Sequence, residues 1–124
     1  MQYIINIGLD NMPSEAGNTV GRRALFAARA LRAHGFTTIA TQVLNSDTEP
    51  TLVAEVKSGY SYTPAAVRIA ELSSALNQDC IATLFPDGSG ALLGPRAAAW
   101  GTFNPEYFFL LDGSRLAQPL QAAA

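Results

Sequence analysis

Two helical stretches, set among segments that alternate like β-strands, constrain the fold of this chain more than any other feature. The second stretch begins favourably, with Thr63 as its cap and Pro64 at the first helical position. Its apolar side chains then recur at the spacing of one helix face, at Ala65, Ile69, Leu72 and Leu76. The first stretch is expected to run from a cap at Asn18 or Thr19 to about His34. Each helix should therefore bury one face against another layer of the fold.

Strand-like segments precede, separate and follow these helices. Apolar and polar side chains alternate over residues 3–9, which is typical of a strand with one buried face. Two further strands are expected over 36–44 and 51–57, joined as a hairpin, and a fourth over 81–85. The resulting order, β-α-β-β-α-β, is that of the ferredoxin-like fold, in which two helices cover one face of an antiparallel sheet. We therefore predict the α+β class with this topology.

The C-terminal part of the chain is expected to extend that fold. The Pro-Asp-Gly-Ser-Gly turn at 86–90 predicts a hairpin whose second arm is 91–93. We interpret 107–111 as either a buried strand or a short helix. Residues 117–124 lack a periodic core-facing pattern and are expected to form a flexible tail. The prediction is one domain over 1–116, with a C-terminal hairpin and aromatic extension.

Composition and charge exclude several classes of protein. With 48% apolar and 15% charged residues the chain has a globular composition, and 124 residues suffice for one core. The net charge of −2 disfavours sequence-specific nucleic-acid binding and attraction to membrane surfaces. No apolar run approaches the roughly 18 residues of a membrane-spanning helix. A single cysteine excludes an internal disulfide framework. We expect a cytoplasmic protein that does not bind membranes.

The residues that could support catalysis are few and scattered. Cys80 and His34 are the single cysteine and the single histidine, and the expected topology places them at opposite ends of the sheet, on the order of 15 Å apart or more. The carboxylates show no paired spacing typical of a metal site, and the glycines match neither a phosphate-binding loop nor a dinucleotide motif. We therefore predict no catalytic residue, no metal and no cofactor.

The first helix carries the first candidate for a partner-binding surface. Half of the eight cationic residues of the chain lie in it. A helical wheel places three of the arginines around one aromatic ring on the side away from the apolar stripe, and these four residues are Arg22, Arg23, Phe26 and Arg29. An aromatic side chain with a charged rim is favoured at protein–protein contacts. The alternative is a solvated face with the ring folded beneath the C-terminal extension.

An aromatic cluster near the C-terminus is the second candidate. Five of the eleven aromatic residues lie within ten positions, at Trp100, Phe103, Tyr107, Phe108 and Phe109. Either this segment packs over the open face of the sheet, or it exposes a surface for self-association or for a partner, with Trp100 and Phe103 as contacts. Because an antiparallel sheet also exposes an edge strand, a homodimer is expected ahead of a monomer.

Three groups of residues in the C-terminal half resemble a segment of known proteins. Residues 77–82, 94–96 and 100–105 are similar to a segment found in small uncharacterised accessory proteins of bacterial plasmids and other mobile elements. That class includes inhibitors of host defence systems, such as anti-CRISPR proteins. The resemblance implies a non-enzymatic interaction module that binds a host protein or a nucleoprotein complex.

Two other families suggest alternative functions. Residues 1–60 resemble ACT-type regulatory domains through a strand, Asp10 and Pro13, a helix and a following glycine, which implies amino-acid binding at the loop after the first strand. Small dimeric cofactor-free monooxygenases and isomerases of the ferredoxin-like type offer a further alternative. An enzyme of that kind would need an enclosed cavity of a few hundred Å³ between helices and sheet. Its candidate lining residues are Tyr3, Phe36 and Trp100.

Overall fold

The computed structural model of the protein describes residues 1–45 and 49–116. Within these residues, five strands form one open antiparallel sheet. The strands are β1 (Gln2–Gly8), β2 (Thr37–Asn45), β3 (Pro50–Lys57), β4 (Ile81–Leu84) and β5 (Gly90–Leu93). Their order across the sheet is β2-β3-β1-β4-β5, so β1 is central and β2 and β5 are the edges.

Three α-helices lie in the described residues, and their bounds are α1 (Val20–Ala33), α2 (Tyr62–Ala75) and the short α3 (Ala97–Trp100). The predicted cap of α1 is confirmed, because the Thr19 hydroxyl accepts a hydrogen bond of 3.2 Å from the backbone N–H of Arg22. The start of α2 was expected too late: its cap is Ser61, and the expected cap Thr63 lies in the first turn. Pro64 fits there because the first turn of a helix leaves its N–H groups without helical partners.

Both long helices cover the same face of the sheet, as the sequence predicts. The alternating residues of β1 point into this layer, where they meet small and apolar side chains of both helices. The buried cluster includes Tyr3, Ile5 and Ile7 from β1, Ala27 and Leu31 from α1, and Ala65, Ile69 and Leu72 from α2. The apolar side chains that recur every two residues in β1 and every three to four residues in the helices therefore pack into one shared core.

The α+β class is confirmed, but the sheet differs from the expected four-stranded one. The turn after β4 closes a hairpin, in which Ile81 pairs with Leu93 and Leu84 with Gly90. In that turn the Asp87 carboxylate accepts hydrogen bonds from the backbone N–H and the hydroxyl of Ser89. β5 thus lengthens the sheet by one edge strand, and the strand order of the whole sheet differs from that of a four-stranded ferredoxin-like sheet.

The C-terminal segment, residues 101–116, crosses the outer face of the sheet, opposite the helices. It is neither of the two regular elements expected over 107–111: a 3₁₀ turn at Pro105–Tyr107 is followed by an isolated bridge between Phe109 and Arg115. Phe108 of this segment is buried, and so is Val53 of β3, which pairs with Asn6 in the sheet. The predicted flexible tail at 117–124 lies outside the described residues.

Candidate functional site: a cleft on the outer face of the sheet

The structure places the four helix candidates differently from the helical-wheel expectation. Arg22 and Arg29 are exposed on α1, but Arg23 is half-buried and its guanidinium is bonded to the backbone. Its Nε donates to the carbonyl of Gly17 at 3.0 Å, and its Nη1 donates to that of Leu9 at 3.1 Å. A further hydrogen bond of 3.3 Å reaches the carbonyl of Asp10, so this side chain closes the loop between β1 and α1.

Phe26 is also placed differently, since its ring is half-buried and packs against the core. The wheel put Phe26 on the outward side because it counted only the narrow stripe of small residues as the buried face. In the structure the buried surface of α1 is broader, and Ala30 packs against the core with Phe26. Val20, which was expected in the stripe, is instead 38% exposed. The expected outward aromatic ring with a cationic rim is therefore not present on α1.

A cleft of about 470 Å³ lies on the outer face of the sheet. Its floor is formed by outward-facing residues of three neighbouring strands, Asn6, Ala82 and Leu92. One wall is the turn from α2 into β4, and the facing wall is the C-terminal segment with the end of α3. The wall residues are Asn77, Gln78, Asp79, Cys80, Trp100, Tyr107, Phe109 and Arg115, and the end near β3 is closed by Gly8, Asn11, Glu49 and Thr51.

Two large aromatic side chains stand exposed at the rim of this cleft. Trp100 is 66% exposed and Tyr107 is 70% exposed. The Trp100 indole N–H donates a 3.0 Å hydrogen bond to the carboxylate of Asp79. This bond fixes the orientation of the indole ring at the rim. A second cavity of about 250 Å³ adjoins the cleft and shares Trp100 and Tyr107 with it. The exposed apolar surface of Trp100 at the rim is therefore held in one orientation.

Phe103, the other aromatic contact that the sequence suggested, has a packing role. Its ring lies so close to Gly90 that a β-carbon at that position would overlap it. The ring centroids of Phe103 and Phe108 are 5.2 Å apart, and Phe108 is fully buried. The aromatic cluster is thus divided: one part completes the cover of the sheet, and the other remains open to solvent.

Arg115 supplies a positive charge that is fixed over aromatic rings. Its guanidinium carbon is 4.4 Å from the centroid of Phe109 and 5.9 Å from that of Tyr107. One Nη donates to the carbonyl of Glu106 at 2.9 Å, which sets the orientation of the planar group. Because Glu49 and Asp79 also line the cleft, it presents both signs of charge beside exposed aromatic surface.

Asn6 fixes the C-terminal segment to the floor of the cleft. Its side-chain N–H₂ donates to the carbonyl of Phe109 at 3.0 Å, and its side-chain oxygen accepts from the N–H of Phe109 at 2.8 Å. The two partners are 103 positions apart in the sequence. At the end of the same strand, a β-carbon on Gly8 would overlap the carboxylate of Glu49, so the glycine lets this acid approach the floor.

Cys80 lines the cleft as a half-buried free thiol. Burial raises its pKa, and the neighbouring negative charge of Asp79 raises it further, so the group stays protonated. His34 lies at the other end of the sheet: it precedes β2, whose first residue pairs with Lys57, and Lys57 in turn pairs with Gln2 at the start of β1. The expected separation of thiol and imidazole is confirmed by this register.

Two residues that were expected to line an enzyme-like cavity line neither the cleft nor the adjoining cavity. Tyr3 and Phe36 are each 1% exposed in the packed core, where their rings meet edge-to-face at 6.1 Å. Trp100 lines the outer cleft instead. Sequence reasoning missed Asn6 and Arg115; a polar side chain in the middle of the first strand was the one sign that pointed to Asn6.

Within the described ranges, 1–45 and 49–116, no group of three or more His, Cys, Asp or Glu side chains is placed to hold a metal ion. The same part of the chain contains no helix with the length and apolarity needed to cross a bilayer. A scan against protein-family models found no match, and searches of curated proteins and of solved structures also found none.

Proposed function

We propose that this protein is a non-enzymatic interaction module that binds a protein partner through the cleft on the outer face of the sheet. The observation that carries the proposal is the exposure of Trp100 and Tyr107, at 66% and 70%, at the rim of an open cleft. Tryptophan and tyrosine are the residues that most often dominate binding energy when a partner covers them. Exposed aromatic side chains that adjoin one another next to a concave surface are typical of a binding site.

The fixed geometry of the rim favours binding further. The Asp79 carboxylate holds the Trp100 indole, and the Phe109 ring and the Glu106 carbonyl hold the Arg115 guanidinium. Side chains that are ordered before binding lose less conformational entropy when a partner arrives. The ordered side chains at the rim therefore lower the entropic cost of binding a partner at the cleft.

Two of the three groups of residues that resemble mobile-element accessory proteins line the same place, while 94–96 lie outside it. Residues 77–82 form one wall of the cleft and part of its floor, and 100–105 contribute to its rim and to the adjoining cavity. This convergence favours a host protein or a nucleoprotein complex, such as a defence complex, as the partner. Such a partner would be met in the cytoplasm, where a free thiol such as Cys80 stays reduced.

A finer assignment of the fold belongs to the same proposal. Strands β1 to β4 with α1 and α2 are proposed to be a ferredoxin-like unit to which β5 has been added at one edge. The order β2-β3-β1-β4 within the larger sheet supports this, together with the placement of both long helices on one face. On this basis β5 and the C-terminal segment are the additions that build the cleft.

Affinity capture with matched variants tests the proposed surface. Wild-type protein is used to capture partners from bacterial lysate, beside the double variant Trp100→Ala/Tyr107→Ala, the double variant Arg22→Glu/Arg29→Glu and the control Val67→Ala, which truncates another exposed apolar residue. The captured protein is then purified and titrated by calorimetry. We expect the first double variant to weaken binding by roughly tenfold or more and the other two to bind normally. Loss of binding only in the arginine variant would assign the site to α1 instead.

A small-molecule ligand is the second candidate occupant. The cleft volume of about 470 Å³ is within the range of small-ligand sites, roughly 300–1,000 Å³. Asn11, in the loop after β1, lines the cleft, and this loop is where the resemblance to ACT-type domains implies an amino-acid site. A thermal-shift screen with the standard amino acids tests this candidate, with Tyr107→Ala as the variant that should abolish any stabilisation. Equal melting temperatures with every amino acid would refute it.

A further inference from the structure

A positive charge lies beside the apolar cavity that adjoins the cleft. This cavity of about 250 Å³ is lined mainly by apolar and aromatic side chains, among them Ala82, Leu92, Trp100, Phe103, Tyr107 and Phe108. The guanidinium carbon of Arg115 lies 5.9 Å from the centroid of the Tyr107 ring, and this ring lines both the cavity and the cleft. The site therefore combines an apolar recess with a cation close to its border.

Arg115 retains hydrogen-bond donors that the protein does not use. The side chain is exposed, and one Nη donates to the carbonyl of Glu106. Within the described part of the chain no acidic side chain forms an ion pair with it, and its Nε and second Nη have no acceptor. The N–H groups of a guanidinium form a planar fork that matches the two oxygens of a carboxylate. Since the Glu106 carbonyl and the aromatic rings already orient Arg115, this fork is in place before a ligand binds.

We propose that the segment of the partner protein that binds here carries a large apolar side chain, which enters the adjoining cavity, and a carboxylate one or two residues away, which pairs with Arg115. This inference rests on the proposed function, because it names the chemistry of the segment that the cleft would bind. An apolar cavity of about 150 Å³ is enough to bind benzene, so about 250 Å³ accommodates one aromatic side chain. An extended chain advances about 3.3 Å per residue, so the 5.9 Å between Arg115 and the Tyr107 ring corresponds to one or two residues.

The acidic residues of the cleft determine on which side the carboxylate of the partner can lie. Asp79 is on the wall formed by the turn from α2 into β4, and Glu49 is at the end near β3. Arg115 is on the facing wall, and it is the one cationic side chain among the described residues that line the cleft. A carboxylate is therefore attracted to one wall and repelled from the other. A nucleic acid would bring phosphates towards the acidic residues as well, so the charges favour a protein segment.

Selection from a phage-displayed library of random linear peptides tests this chemistry. The library is panned on the wild type, on Trp100→Ala/Tyr107→Ala and on Arg115→Glu, with Arg29→Glu as the control that reverses an exposed charge on α1. We expect the wild type and the control to enrich peptides with an aromatic or large aliphatic residue and an Asp or Glu one or two residues away. Arg115→Glu should enrich the same apolar residue with Lys or Arg in place of the acid, which also shows that this variant is folded.

Trp100 provides a direct measure of binding because it is the one tryptophan of the chain. A selected peptide without tryptophan or tyrosine is synthesised with its acidic residue as Glu and as Gln. Its binding is followed by the emission of Trp100, which should shift to shorter wavelength as the ring is covered. The Glu peptide should bind the wild type roughly fivefold more tightly than the Gln peptide, and the difference should decrease as the salt concentration rises. In Arg115→Gln the two peptides should bind equally.

The possible outcomes separate this inference from the proposed function. Peptides that require Trp100 and Tyr107 but show no preference for an acid, or a preference that persists in Arg115→Glu, would overturn the pairing with Arg115 and leave the cleft as a protein-binding site. If no enriched peptide required the two rings, both proposals would be overturned. A shift of the Trp100 emission with a single-stranded oligonucleotide, and not with the peptides, would overturn the choice of a protein segment.

Discussion

Replacing Asn6 by alanine should detach the C-terminal segment from the sheet while leaving the helix-covered core intact. Two hydrogen bonds join this side chain to the backbone of Phe109, at 2.8 and 3.0 Å. Each such bond contributes about 0.5–1.5 kcal/mol to stability, and the loss of both predicts a decrease of about 2 kcal/mol in the free energy of unfolding. For a domain of this size that corresponds to a decrease in Tm of roughly 6–10 °C.

The local consequence distinguishes this prediction from a general loss of stability. Once Asn6 is truncated, the amide N–H of Phe109 has no acceptor, and hydrogen exchange at this amide and in its neighbours over 106–116 should accelerate. Amides of β1 and β3 should keep their protection at low denaturant, since the core beneath them is made by other residues. Urea denaturation and native-state hydrogen exchange measure the two effects separately.

A matched control lies on the same strand. Gln2 is also polar, but it is exposed at the start of β1, so Gln2→Ala should change the free energy of unfolding by less than about 0.5 kcal/mol. If Asn6→Ala were equally neutral, and hydrogen exchange at Phe109 were unchanged, the two hydrogen bonds of Asn6 would not be what holds the C-terminal segment on the sheet. Other contacts would then have to hold this wall of the cleft in position.

Two further predictions concern other parts of the cleft. Gly90→Ala should destabilise the protein by about 1–3 kcal/mol, because the new β-carbon would overlap the ring of Phe103. In contrast, the β-carbon of Gly21→Ala on α1 meets nothing within 4 Å, and this variant should stabilise the protein by up to about 1 kcal/mol. Urea denaturation measures both effects. Because burial and Asp79 raise the pKa of Cys80, its alkylation by iodoacetamide should be slow at neutral pH and should accelerate only at a higher pH than for a free thiol. Asp79→Asn should shift that rate profile towards lower pH, and an unchanged profile would contradict the electrostatic cause.

The sign of the thiol effect on stability follows from the same shift. A pKa raised by folding means that the folded protein favours the protonated thiol over the thiolate. This contribution is fully present below the pKa of the unfolded thiol and is lost as the pH rises through the folded pKa. The loss of stability at alkaline pH should therefore be smaller in the Cys80→Ala variant than in the wild type.

The regular elements could be predicted because their patterns are local. The alternation in β1, the cap at Thr19 and the turn at Asp87 each depend on residues a few positions apart, and each is present in the structure. The direction of Phe26 was predicted wrongly because a helical wheel shows angles but not the width of the surface that a helix faces. The half-buried ring reflects a broader contact of α1 with the core than its stripe of small residues indicates.

The cleft could not be predicted because its contacts are distant in sequence and follow no period. Asn6 meets Phe109 across almost the whole chain, and Trp100 at the end of α3 meets Asp79 in the turn before β4. Residues 101–116 adopt turns and a single bridge. Such structure produces no regular spacing of apolar residues, either the two-residue spacing of a strand or the three-to-four-residue spacing of a helix. The aromatic composition of this segment left two alternatives, a cover for the open face of the sheet or an exposed binding surface, and it did not indicate which rings would be buried.

The cleft is a consequence of how a two-layer fold covers its second face. Two helices bury one side of the sheet, and part of the other side is covered by residues 101–116, a segment without regular secondary structure beyond a short 3₁₀ turn and one bridge. Such a segment needs polar attachment points, here Asn6, and it can cover only the strip that it crosses. Between this segment and the turn before β4 the floor of the sheet stays open, and Trp100 and Tyr107 stand at the rim. A longer or more regular cover would bury these rings, so the irregularity that defeats pattern-based prediction is also what leaves a binding surface.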